Sequence, residues 1–228
     1  MIEGIGLQVS GDPAAWLSDY ANQSAERLIE LLLTEAVAAW ASERFFTHSE
    51  RETAFTIRLY AFCERLIIAD GRQALAHQRY PQMQVYYDMP QPSLAMLDGL
   101  EDPDMTPRPD MTICIGRTML RVEAKRLKDD TVLPKAYVVS GMDRYIQGRY
   151  GGDGRPGIML GYVLKGKRDG IIARINNAVS TELGRPRSEH LGQRKRLNDH
   201  TVRYTSKHAP DLVLRHYHLR IPAPMTPP

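Results

Sequence analysis

Between Arg108 and Lys125 the chain reads RPDMTICIGRTMLRVEAK, and no other stretch restricts its fold as much. Met111–Gly116 and Thr118–Lys125 are two short apolar-rich runs joined at Gly116-Arg117, the pattern of a β-hairpin. Successive side chains of a strand alternate between faces, so Leu120, Val122 and Ala124 share one side and Arg121, Glu123 and Lys125 the other. The loop decides what faces Glu123. With Gly116 and Arg117 as the loop, paired residue numbers sum to 233 and Asp110 lies opposite Glu123. With Arg117 and Thr118 the sum is 235 and Asp110 faces Lys125. Both registers put Asp110, Glu123 and Lys125 on one face, whereas a three-residue loop would move Asp110 to the other.

Two long helical stretches precede the hairpin. Asp12 and Pro13 suit an N-cap and a first helical position, and Leu17, Tyr20, Ser24, Leu28, Leu31 and Glu35 recur at helical spacing toward Ser42. A second helix is expected from Ser49 to Ala76, with Phe55, Leu59, Phe62 and Leu66 as its apolar stripe. Gln84–Tyr87 reads as a strand, and Pro90–Pro109, with five prolines, as a surface loop. Beyond the hairpin a helix is expected over Lys135–Gly148, a strand over Gly157–Leu164, a helix over Asp169–Leu183 and a last strand over Leu212–Ile221. This order predicts an α/β (α+β) fold, one mixed sheet flanked by helices on both faces. One domain is expected over residues 1–221, with a disordered proline-rich tail at 222–228.

At 228 residues the chain is long enough to bury a core without disulfides or a structural metal. Its two cysteines, Cys63 and Cys114, sit in apolar runs and read as buried free thiols of a reducing compartment. The N-terminus lacks a signal-peptide pattern, and no run approaches the ~20 apolar residues of a membrane span. A cytoplasmic protein without membrane contact is expected. The net charge of +3 does not announce a nucleic-acid binder, but its distribution is uneven. Arg185–His208 holds seven basic residues, among them Arg194, Lys195 and Arg196, against Glu189 and Asp199. Such a segment suits a polyanion, and a solvated loop would look the same.

Two carboxylates opposite each other repel unless a cation lies between them, and hard oxygen donors at that separation suit Mg²⁺ or Mn²⁺. An adjacent lysine can orient and help deprotonate a bound water. One step back along the stripe of the second helix stands Glu52, while Glu50 and Glu64 fall off that face and are expected toward solvent. A carboxylate on an apolar face is costly without a cation, so Glu52 is the third candidate.

Pro109-Asp110, twelve residues, then Glu123-Ala124-Lys125 resembles the signature of the PD-(D/E)xK nuclease superfamily, the restriction-endonuclease-like fold. A helical glutamate before the hairpin, like Glu52, and the element order αβββαβ over roughly 49–165 are similar too, leaving an extra N-terminal helix and a C-terminal strand outside. Gly141–Tyr150 and Tyr204–His208 look like segments of small phage-defence-associated members. The resemblance implies a metal-dependent nuclease acting on DNA. Asp110, Glu123 and Glu52 would serve at a Mg²⁺ or Mn²⁺ ion and Lys125 at the attacking water. A homodimer and a protein partner subunit are further expectations. Gln147 and Tyr150 echo a glutamine–tyrosine pair of the superfamily's exonucleases, with two residues between them instead of three. Arg144, Gln147 and Arg149, with Arg194, Lys195 and Arg196, are the candidate nucleic-acid contacts. His216 and His218 share a strand face and could join His200 or His208 at zinc; without nearby cysteines they read as core histidines.

Overall fold

The structure, a computed structural model, describes residues 13–43, 51–73, 78–80, 82–88, 108–116, 118–150, 156–208 and 211–221. Helices α1 (Pro13–Ser42) and α2 (Glu52–Gly71) come first, then strands β1 (Met83–Tyr87), β2 (Met111–Ile115) and β3 (Thr118–Lys128). A broken helix follows: α3 (Val132–Tyr137), a π-helical turn (Val138–Met142) and α4 (Asp143–Ile146). Strand β4 (Gly157–Lys165), helix α5 (Arg168–Leu183) and strands β5 (Gly192–Arg196), β6 (Thr201–His208) and β7 (Leu212–Arg220) complete the order.

The seven strands form one mixed sheet in the order β1-β2-β3-β4-β7-β6-β5. Strands β3, β4 and β7 run parallel in its centre, and each wing is antiparallel. The sheet has a core on each face. Ile29, Leu32, Leu33, Val37 and Trp40 of α1 and Phe55, Leu59, Phe62 and Cys63 of α2 pack on Leu120, Val122 and Ala124 of β3 and Ile158, Leu160 and Tyr162 of β4. Trp40 stacks on Phe62 at 6.3 Å between ring centroids, which ties the two helices together. The other face packs Leu127, Met159 and Val163 against Tyr137, Val138, Met142, Ile171 and Ile175.

Four sequence expectations are corrected. The buried stripe of α1 is Ile29, Leu32, Ala36 and Trp40, turned from the expected Leu28, Leu31 and Glu35, because Glu26 and Glu30 are drawn to Arg203, Arg215 and Lys195 of the sheet. Helix α2 is shorter than expected: it ends at Gly71, and the buried Asp70 carboxylate accepts the N–H groups of Arg79 (2.8 Å) and Tyr80 (2.7 Å) to redirect the chain. The basic segment after α5 is a hairpin, β5–β6, so three strands follow that helix instead of one. Gly192–Arg196 carries no apolar residue, as befits an edge strand protected by charge, and hydrophobic periodicity could not reveal it. Cys114 is only partly buried, unlike Cys63. Asp12, Glu50, nearly all of the Pro90–Pro109 loop and the 222–228 tail lie outside the described residues. Among the described residues no helix is long and apolar enough to cross a membrane.

Candidate active site

Strand β2 begins at Met111, paired with Val122, so the hairpin adopts the register summing to 233 and Asp110 falls beside Glu123. Past that point β3 continues to Lys128 without β2 beside it. Its exposed edge would carry unpaired N–H groups, and two carboxylates meet them. Ala124 N–H donates to Asp110 Oδ2 (2.7 Å) and Arg126 N–H to Glu52 Oε2 (3.0 Å). Two of the three candidate acids therefore extend the hydrogen-bond ladder where the neighbouring strand stops. That fixes their position, and the remaining lone pairs face a common point.

Lys125 occupies this point. Its Nζ donates to Glu123 Oε1 (2.6 Å), Glu52 Oε1 (3.0 Å) and the Ala124 carbonyl (2.7 Å), and lies 3.9 Å from Asp110 Oδ2. Glu123 is wholly buried. Tyr150 donates to its Oε2 (2.9 Å), and Arg144 Nη1 stands 3.0 Å from both oxygens while also donating to the Tyr150 hydroxyl at 2.7 Å. Three carboxylates face two cations here, leaving one negative charge in excess.

Burial is the largest influence on Glu123 and lifts its pKa; Lys125 and Arg144 oppose the rise and Asp110 adds to it. Burial also works against the Lys125 ammonium, but Glu123, Glu52 and Asp110 together outweigh it and hold its pKa above the ordinary value. Lys125 is thus a charged donor in this state and not a base. Gly141, in the π-helical turn, closes the site from above: a Cβ there would stand 2.7 Å from Met159 Cε, 3.4 Å from Lys125 Cγ and 3.7 Å from Glu123 Cγ. A π turn inserts one extra residue into a helix and recurs at functional sites. Here it lets the backbone approach the lysine stem.

The structure brings Glu52, Asp110, Glu123, Lys125 and Arg144 together, but it leaves out the other candidates. Gln147 is exposed and donates to Asp143; Arg149 is exposed as well. Arg194, Lys195 and Arg196 lie on β5, four strands from β3, or about 19 Å at the usual strand spacing. The sequence offers Arg144 as a nucleic-acid contact and Tyr150 as the partner of Gln147 in an exonuclease-like pair, and gives no sign that both reach Glu123. Only the fold brings these positions to a strand 21 and 27 residues upstream. Glu64, expected in solvent, is half-buried.

The histidines form a buried network. His216 meets Tyr137 (2.9 Å) and Ser206 (2.8 Å), Ser206 meets His208 (2.8 Å), and His208 meets Glu189 (2.7 Å). Glu189, His208 and Ser206 have the spacing of an acyl-transfer relay, yet Ser206 is 1% exposed and no substrate reaches it. Among the described residues no group of three or more His, Cys, Asp or Glu side chains could by itself hold a metal ion. Zinc at His216 and His218 finds no support in this arrangement. Mg²⁺ takes one or two carboxylates and completes its shell with waters and substrate phosphates, so the Asp110–Glu123 pair still fits it chemically.

No protein family, curated protein or solved structure compared with the chain matches it.

Proposed function

We propose that the chain is a metal-dependent nuclease of the restriction-endonuclease-like, PD-(D/E)xK class that hydrolyses phosphodiester bonds in DNA. One observation carries the reading: Glu52, Asp110 and Glu123, distant in sequence, converge on Lys125 at the point where β3 loses its neighbour. A sheet edge with oriented acids and one charged donor can bind a phosphate and direct a water at it. Asp110 and Glu123 would hold Mg²⁺ or Mn²⁺, with Glu52 in support directly or through water. When bound, the ion supplies a more acidic water and neutralises charge building on the phosphate. Lys125, the charged donor of the site, would donate to a phosphate oxygen or position the attacking water. Arg144, whose Nη1 stands 3.0 Å from Glu123, would add a second cation against the same negative charge.

A second reading, a non-catalytic nucleic-acid-binding or complex-assembly subunit, is favoured by one fact: both oxygens of Glu123 are already engaged by Lys125, Arg144 and Tyr150. Incubating the purified protein with plasmid, linear and single-stranded DNA and with RNA, in Mg²⁺, Mn²⁺ or EDTA, separates the two. Cleavage of DNA with either ion and none in EDTA supports the nuclease. Full activity in EDTA overturns the mechanism, preferential RNA cleavage moves the substrate, and DNA binding without cleavage favours the second reading.

A further inference from the structure

We infer that Arg168, Arg194, Arg196 and Arg220, gathered at the carboxyl-terminal end of the sheet, form a second anion-binding surface that takes the phosphate backbone of duplex DNA. The inference rests on the nuclease reading for its choice of polyanion. Its geometry stands independently.

Alternation along β5 divides the basic segment. Lys195 turns to α1, where its Nζ meets Glu30 Oε2 at 2.8 Å, so it belongs to a structural ion pair. Arg194 and Arg196 take the opposite face, and Arg194 Nη1 reaches the first turn of α5, 3.7 Å from Asp169 Oδ1. Arg168 opens that helix, and its Nη2 lies 3.4 Å from the His200 carbonyl, which also accepts the Arg220 N–H at 2.7 Å. Arg220 continues the face of His216 and His218 that α5 covers. Three separate elements thus bring four guanidinium groups to one corner.

The corner is neutralised only in part, with Arg194 facing Asp169 and Arg196 paired with Asp199. Its nearby carboxylates, Asp169 and Asp199, have side chains 88% and 81% exposed, where water and salt screen them. Arg168 shows the consequence: burial first, then Arg220, Arg194 and Arg196, depress its pKa. Like charges held together oppose folding and favour a polyanion. Lys165 and Lys167, both exposed, continue the basic surface along the same end of the sheet.

This surface lies on the side of the sheet that carries Glu123 and Lys125. Leu127, Val163 and Arg220 stand in one row across β3, β4 and β7, two residues beyond Lys125. Two strand spacings and two residues of rise separate the backbones of Lys125 and Arg220 by about 12 Å. Phosphates of one DNA strand advance about 3.4 Å each along the axis, so a duplex cut at Lys125 presents phosphates a few steps away to the arginines.

The test measures affinity for a short DNA duplex by fluorescence anisotropy across a salt series in EDTA, where nothing is cut. Arg194→Gln/Arg196→Gln and Arg168→Gln/Arg220→Gln are each expected to flatten the salt slope by about 1.8 and to weaken binding about 60-fold near 0.1 M salt. Lys195→Gln is expected to match the wild type. Wild-type slopes in both double variants, an equal loss in Lys195→Gln, or tighter binding of an RNA duplex would overturn the proposal. The Arg194/Arg196 pair, with side chains 53% and 66% exposed, carries the test should the Arg168/Arg220 variant not fold. Failure of the nuclease reading looks different: no cleavage in Mg²⁺ with these salt slopes intact.

Discussion

Replacing His218 with leucine is expected to change how the protein responds to acid. His218 is completely buried on β7, between Tyr137 at 5.7 Å and Tyr204 at 5.0 Å, and neither ring nitrogen has a hydrogen-bond partner. Burial, with Arg168 adding repulsion, pushes its pKa down to about 3. In the unfolded chain the same imidazole titrates near 6.5. Below about pH 6.5 the unfolded chain takes up a proton that the folded chain refuses, so the stability present above that pH is lost as pH falls toward 3. Each pH unit in this window costs about 1.4 kcal/mol, hence about 2 kcal/mol between pH 6.5 and 5.0. His218→Leu removes that proton, whatever it costs in ring contacts. Urea unfolding at pH 7.5 and 5.0 is the assay, read from midpoints at constant slope. The stability difference between variant and wild type should move by about 2 kcal/mol in the variant's favour at the lower pH. Parallel losses in the two proteins would refute the reasoning and show that His218 accepts its proton in the fold.

Lys125→Met is expected to abolish DNA cleavage and also to lower stability by about 3 kcal/mol, because it leaves the buried Glu123 charge with Arg144 as its remaining cation and Tyr150 as a neutral donor; adding Glu123→Gln should recover most of the loss, and an unchanged urea midpoint in the single variant would contradict the charge accounting. Glu52→Gln should suppress cleavage while Glu64→Gln leaves it intact, since only Glu52 reaches Lys125 and the Arg126 N–H; equal rates for the two variants would remove Glu52 from the site. Gly141→Ala puts a methyl group 2.7 Å from Met159 Cε and is expected to cost about 1–2 kcal/mol by thermal unfolding and to slow cleavage. A neutral effect on both would show that the π-helical turn is not tightly seated.

Residues whose roles follow from local spacing are legible in the sequence itself. The α2 stripe is buried at Phe55, Leu59 and Phe62, and either two-residue hairpin loop is enough to put Asp110 on the face of Glu123 and Lys125. Glu52 is reachable by the same logic, as an acid on a face that needs a cation, and the cation is Lys125. The expected phase of α1 fails because Leu28 and Leu31 compete with Ile29, Leu32 and Val37 in a helix apolar on several sides. The choice between them lies in the sheet, whose Arg203 and Arg215 pair with Glu26 and Glu30.

Short-range periodicity alone determined the helix–hairpin–helix–strand order and the shared face of Asp110, Glu123 and Lys125, because alternation in a strand and the 3.6-residue turn of a helix are properties of the local backbone. Tertiary structure decided everything that depends on which edges meet. It placed β7 beside β4 and sent the charged β5–β6 hairpin to the far edge. It set Arg144 and Tyr150 on Glu123 and brought Arg194 to the first turn of α5 and Lys195 to Glu30 of α1. Such pairings depend on the energy of burying and satisfying groups far apart in the chain, and no local pattern encodes that.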